Sequence, residues 1–217
     1  MSPRITKRRL LGIDRSGPAP VQTRSDQPLN PWTIPNAIGF LRLGGIPVFL
    51  ALALSSPDGH RTSATILFAV IGWADYMDGF AARLTGQYSR LGALLDPIVD
   101  RLLVISGMVV AYHFSLLPRW AIMLVVAREL FMLALSRYGL SRGIELKINW
   151  PGRLGVGPTI AAPFFAMANV HWLALIMLYV GLALSLLATA LYVRSGIRQA
   201  RKLSAAERDT AAPPRAY

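Results

Sequence analysis

Long apolar blocks separated by short polar ones run through most of this chain. From Trp172 to Val193 there is no charged side chain for 22 residues, and Leu102 to Pro118 has none either. Further apolar blocks lie at 34–55, 64–82, 119–138 and 154–170. Each approaches the ~20 residues that a helix needs to cross the hydrocarbon of a bilayer. The pattern predicts six transmembrane helices, and hence an all-α integral membrane protein. The composition agrees: 53% of the 217 residues are hydrophobic and 16% charged, where soluble domains carry about 45–50% apolar residues.

The polar remainder divides the chain. Residues 1–27 mix Pro, Ser, Gln and Arg and read as a disordered basic segment. Residues 28–203 form one membrane domain without internal repeats, and 204–217, ending "TAAPPRAY", read as a disordered tail. The basic start, the first apolar run and "ALALS" (Ala51 to Ser55) imitate a signal peptide. About 33 residues precede that run, however, Arg42 interrupts it and more spans follow, so a retained first helix is expected.

A net charge of +12 invites a nucleic-acid reading, but its distribution points to a membrane instead. Arg4, Lys7, Arg8, Arg9, Arg15 and Arg24 precede the first span, and Arg194, Arg198, Arg201 and Lys202 follow the last. Arg142, Lys147 and Arg153 lie between the fourth and fifth spans, whereas the opposite side receives Arg61 and Arg119. By the positive-inside rule both termini face the cytoplasm of a multi-pass protein of the cell (inner) membrane. The same basic rim attracts anionic lipid headgroups. Cysteine is absent, which removes disulfides and thiolate metal sites, and His60, His113 and His171 each stand alone near a helix end.

Against this background, "GWADYMDGFAARLTGQYSRLGALLDPIVD" (Gly72 to Asp100) holds four of the eleven acids. On helices, Asp75 and Asp78 share a face, as do Asp96 and Asp100. Gly79, Gly86 and Gly92 with Thr85, Gln87 and Ser89 read as a helix end, a short turn and a new start. The resulting αα-hairpin brings the two acid pairs together at the cytoplasmic end of helices two and three. Carboxylates at membrane depth are costly and mark function. Cations among them would let them stay ionised, and oxygen ligands without Cys or clustered His suit Mg²⁺, Mn²⁺ or Ca²⁺. Two such ions form a clamp for a pyrophosphate. A proton or cation path in an ion-coupled transporter is the alternative reading of the same acids. Gly79 and Ala82 remove bulk one turn apart beyond Asp78, so that a flat nucleoside could lie against the backbone, and Gly92 does the same before Asp96. Arg83 is placed to pair with a phosphate.

The spacing Asp75-x2-Asp78-Gly79-x2-Ala82-Arg83-x8-Gly92-x3-Asp96-x3-Asp100 resembles, position for position, the signature of the CDP-alcohol phosphatidyltransferases. The resemblance covers about residues 30–203. It implies a homodimer of six-helix protomers with a short N-terminal interfacial helix, two divalent metal ions, Mg²⁺ or Mn²⁺, and transfer of a phosphatidyl group from CDP-diacylglycerol to an alcohol with release of CMP. It assigns Asp75, Asp78, Asp96 and Asp100 to the metals, Asp100 also as general base on the acceptor hydroxyl. Gly79, Ala82, Arg83 and Gly92, beside Asp75 and Asp78, would hold the cytidine diphosphate.

"IPNAIGFLRLGGIP" (Ile34 to Pro47), with Asn36 and Arg42, and "AREL" (Ala127 to Leu130) resemble the phosphatidylglycerophosphate synthases of that family. Neighbouring side chains on a helix do not face each other, so Arg128 and Glu129 are each expected to find another partner. Acceptor binding falls to Arg128, Arg153 and Arg194. The fifth helix opens with "RLGVGPT", where the resembling enzymes carry Lys-Leu-Gly-Lys-x-Lys-Thr; Val156 and Pro158 replace two lysines. Glycerol 3-phosphate is the expected acceptor. The reduced charge keeps phosphatidylglycerol, the acceptor of the related cardiolipin synthases, as the alternative, with an inositol phosphate behind both.

Overall fold

The computed structural model describes residues 28–141 and 150–211, with side chains described for 28–135, 152 and 154–197. Among the described residues there are six helices and no strand: α1 (Ile34–Leu54), α2 (Thr62–Thr85), α3 (Arg90–His113), α4 (Arg119–Ser141), α5 (Trp150–Met167) and α6 (His171–Ala211). The six apolar blocks thus each become a helix. Two of these, α1 and residues His171–Ile197 of α6, are long and apolar enough by themselves to cross a membrane. Charge dilutes the others. Asp75, Asp78 and Arg83 lie on α2, Asp96, Asp100 and Arg101 on α3, and Arg128 and Glu129 on α4, while the apolar part of α5 is only Leu154–Met167. Large apolar side chains are exposed on every helix, among them Leu41, Trp73, Ile98, Phe131, Leu154 and Leu187.

Two expectations at the chain ends need restating. The expected interfacial helix before α1 and the basic segment 1–27 lie outside the described residues, and residues 28–32 carry no regular structure. The tail expected to be disordered from 204 instead continues α6 as far as Ala211. "SAAER" contains strong helix formers, and no Gly or Pro interrupts the chain before Pro213.

The chain divides into two compact units. The first comprises the chain through Leu116 together with Pro163–His171. In it α1, α2 and α3 pack on one another. The Phe49 and Phe68 rings, both fully buried, lie 5.0 Å apart, and Leu103 and Met108 are buried as completely. Gly107 makes this possible: a Cβ there would stand 2.8 Å from the Phe68 ring and 2.9 Å from Pro163 Cγ. Small residues of this kind let helices approach closely. The α1–α2 loop is stitched locally. Asp58 accepts hydrogen bonds from the Ser56 hydroxyl and the His60 amide, which hold its carboxyl below the usual range. A ring nitrogen of His60 meets the Met167 carbonyl at 3.1 Å, and His113 packs edge-on against Phe114.

The second unit comprises Leu117–Ala162 and the chain from Trp172. Its core is small and aliphatic, with Ala121, Ile122, Val125, Ala174 and Leu178 buried, and the Trp120 and Tyr179 rings stack at 6.0 Å. Gly181 of α6 passes against Thr159 of α5 so closely that a Cβ would lie 2.9 Å from the Thr159 backbone nitrogen. Backbone cannot step aside as a flexible side chain can. Gly181→Ala is therefore expected to cost about 1–3 kcal/mol, the range for overpacking a close contact. Gly157 has nothing within 4 Å of its missing Cβ, so Gly157→Ala is expected to be silent or slightly stabilising. Thermal unfolding of both variants in one detergent checks the contrast.

Candidate active site

The hairpin between α2 and α3 builds the site, and its turn follows from three residues. Gly86 caps α2 in the left-handed region at φ 66°, which glycine adopts without a Cβ penalty. Ser89 then begins α3, its hydroxyl accepting the Gly92 amide at 2.9 Å. Between them, the Gln87 side chain accepts the free Ile34 amide at the start of α1, at 3.1 Å. Helix α1 is set beside the hairpin by the same kind of bond. Asn36, almost fully buried, accepts the Ser89 hydroxyl at 2.7 Å and donates to the carbonyls of Asn30 (2.9 Å) and Pro31 (3.1 Å).

This frame leaves a cleft of about 170 Å³ lined by Pro35, Asn36, Asp78, Gly79, Ala82, Arg83, Gln87, Tyr88, Ser89, Gly92, Ala93 and Asp96. Six of the residues singled out in the sequence, Asp78, Gly79, Ala82, Arg83, Gly92 and Asp96, therefore share one cavity. A Cβ at Gly79 would touch the Arg83 guanidinium at 3.3 Å. A Cβ at Gly92 would collide with Asn36 Oδ1 at 2.7 Å, so this glycine also makes room for the hydrogen-bond frame.

Next to the cleft, through Asp78, the acids meet a cation. Arg42 of α1, 2% exposed, donates through Nη1 to Asp75 (2.8 Å) and Asp78 (3.0 Å) and through Nη2 to Asp100 (2.7 Å). Its Nε donates to the Ile71 carbonyl at 3.1 Å, which fixes the plane of the fork. The two acid-bearing helices are thus drawn to one guanidinium, as the hairpin predicts. Asp96, half-buried, is not among its partners and faces the cleft instead. Among the described residues no three His, Asp or Glu side chains close on a single point as a finished metal cage. The donor set nevertheless fits a hard divalent ion: the oxygens are carboxylate, no thiolate or imidazole intrudes, and the cluster already attracts positive charge.

The residues assigned to the acceptor, Arg128, Arg153 and Arg194, all belong to the second unit. The Arg128 Nε donates to Thr189 Oγ1 at 3.0 Å. Arg128 thus finds another partner in Thr189, as expected, and in addition pairs through Nη1 with the adjacent Glu129. A long guanidinium stem curls back along the helix, so the i,i+1 rule for short contacts does not bind it. Arg194 is exposed on α6, and Arg153 lies on α5 with its side chain outside the described residues. Sequence reasoning missed the lining roles of Pro35, Gln87, Tyr88 and Ser89, and it gave Arg42 no partner. A charged residue inside an apolar span was the available signal.

The family model described as CDP-alcohol phosphatidyltransferase matches residues 32–189, and the chain belongs to that family. It is a transferase of phospholipid biosynthesis, and the family's enzymes work in membranes. It is 33% identical over 174 residues to the cardiolipin synthase (CMP-forming) of Streptomyces coelicolor, covering 76% of this chain and 80% of that protein. To the CDP-diacylglycerol–glycerol-3-phosphate 3-phosphatidyltransferase of Shigella flexneri it is 31% identical over 186 residues, 82% of this chain and 97% of the other. The Bacillus subtilis protein of the same name is 28% identical over 144 residues, 60% and 74% of the two chains.

Proposed function

We propose that this protein transfers the phosphatidyl group of CDP-diacylglycerol to glycerol 3-phosphate, releasing CMP, at the cytoplasmic side of the cell membrane. The observation that carries the reading is the shared cleft: Asp78, Gly79, Ala82, Arg83, Gly92 and Asp96 line one cavity, with Asp75 and Asp100 gathered behind Asp78. Gly79 and Ala82 leave a flat helix surface for the nucleoside. Arg83 pairs with the diphosphate. Asp75, Asp78, Asp96 and Asp100 would hold two Mg²⁺ or Mn²⁺ ions, which when bound neutralise the bridging oxygens as phosphorus is attacked. Asp100 takes the proton from the acceptor hydroxyl as the oxygen–phosphorus bond forms.

The architecture proposed around this site is six spans with both termini cytoplasmic, an interfacial helix before α1, and a homodimer. The large apolar side chains exposed on all six helices support embedding beyond the two most apolar ones, since water-exposed faces of that kind mark lipid or partner contact. Charge asymmetry supports the orientation.

Phosphatidylglycerol is the second reading of the acceptor. Val156 and Pro158 stand where lysines would meet a phosphate, and the Streptomyces coelicolor relative is a cardiolipin synthase. Purified protein given CDP-diacylglycerol and Mg²⁺ should release CMP fastest with glycerol 3-phosphate; release only with phosphatidylglycerol would install the second reading. The donor and acceptor sites should also separate. Arg153→Ala and Arg194→Ala are expected to raise the acceptor's KM about tenfold or more, as for loss of a charged hydrogen bond, and to leave the donor's nearly unchanged. Equal movement of both constants would remove these arginines from the acceptor pocket.

A further inference from the structure

Arg42 is the one described residue of the acid cluster to which the function above assigns no task. Its position is unusual. It comes from the middle of an apolar helix, it is 2% exposed, and it is absent from the lining of the cleft. Its Nε is tied to the Ile71 carbonyl, so the two terminal nitrogens present a fixed fork to α2 and α3. Each acid it holds is engaged through one oxygen, Asp75 Oδ1, Asp78 Oδ2 and Asp100 Oδ1, leaving the second oxygen of each outside these bonds.

Two roles are conceivable for such a cation. As a competitor it would occupy the acids until a divalent ion displaced it. That role asks the guanidinium to leave a buried seat anchored on the Ile71 carbonyl and to give up its bonds to three carboxylates. As an orienting group it would stay, neutralise part of the repulsion among the carboxylates, and turn their remaining oxygens toward a common ligand. The one-oxygen geometry, the anchor on Ile71 and the absence of Arg42 from the lining of the cleft favour the second.

We propose that Arg42 is the positioning residue of the aspartate cluster: without lining the cleft itself it aligns Asp75, Asp78 and Asp100, and the affinity for divalent ions depends on it. The inference rests on the reading of the acids as ligands. Partners that orient ligating groups typically govern about 10–100-fold in metal affinity.

Mn²⁺ titrated into full-length protein in nanodiscs, with free ion followed by electron paramagnetic resonance, gives affinity without reference to turnover. Arg42→Gln is expected to weaken binding by about 10–100-fold. Arg42→Lys keeps the charge but cannot span three carboxylates and the Ile71 carbonyl, so it should fall between Gln and wild type. It also serves should Arg42→Gln not fold. Wild-type or tighter binding by a folded Arg42 variant would overturn the proposal and leave Arg42 as structural support or a competitor. Asp96→Asn, which touches no Arg42 bond, separates the two claims. If wild type binds Mn²⁺ and Asp96→Asn does not, the acids are ligands whatever Arg42 does. If wild type binds none, the ligand reading fails and the proposal falls with it.

Discussion

Asp96→Asn is expected to reduce CMP release below detection while the protein still folds. The fold should survive because Asp96 takes no part in the Arg42 salt bridges, and an amide of the same shape leaves the α3 backbone and its Ser89 cap untouched. The chemistry should not survive, because Asp96 is the acid that faces the cleft together with Asp78. On the proposed reading, removing its charge takes away one ligand of the divalent ions on which the donor's diphosphate would dock, so donor binding should vanish along with turnover. Calorimetric titration of CDP-diacylglycerol in the presence of Mg²⁺ checks this directly. Full donor affinity in a folded Asp96→Asn protein would remove Asp96 from the ligand set.

Asp100→Asn should fail in a different way. Asp100 lies one turn beyond Asp96, and its Oδ1 accepts from Arg42 Nη2 at 2.7 Å. An asparagine keeps an acceptor oxygen for Arg42 but loses the charge of the ion pair and the ability to take a proton, so the comparison is made where metal saturates the site. At saturating metal, donor affinity is therefore expected to remain near wild type while kcat falls by about 10²–10⁴-fold, the usual cost of a positioned general base. Parallel donor titrations and CMP-release rates on the two variants distinguish ligand from base. Near-normal turnover by Asp100→Asn, or failure through lost donor binding alone, would leave Asp100 at most a metal ligand and pass the base role to another group.

The contrast between these acids shows what the sequence carried and what it did not. Helix positions were legible because apolar blocks of span length are bounded by charges and turn residues, and the α2–α3 hairpin was legible because Gly86 and Ser89 are strong end signals. The grouping of the acids followed from their i,i+3 and i,i+4 spacing. Long-range pairing was the hidden part. Periodicity says which residues share a face of one helix, but nothing in it says that Arg42 reaches both Asp75 and Asp100, 33 and 58 residues away. The same limit hid the tie from Asn36 to Ser89 and the cap from Gln87 to Ile34, both made across 53 residues. Gly92 had a visible spacing to Asp96, whereas its contact with Asn36 depends on how α1 docks. Arg128 has the further partner that its spacing demanded, but its added pairing with Glu129 was not legible, because a rule about which positions face each other does not limit a side chain long enough to fold back on its neighbour.

The central claim is that these carboxylates work as a metal-dependent phosphatidyl-transfer site, and metal dependence of CMP release tests it most directly. Protein purified in chelator, then supplied with CDP-diacylglycerol and glycerol 3-phosphate, should release no CMP. Addition of Mg²⁺ or Mn²⁺ should restore release in wild type and not in Asp96→Asn. Sustained CMP release by the chelated, metal-free protein would contradict the account.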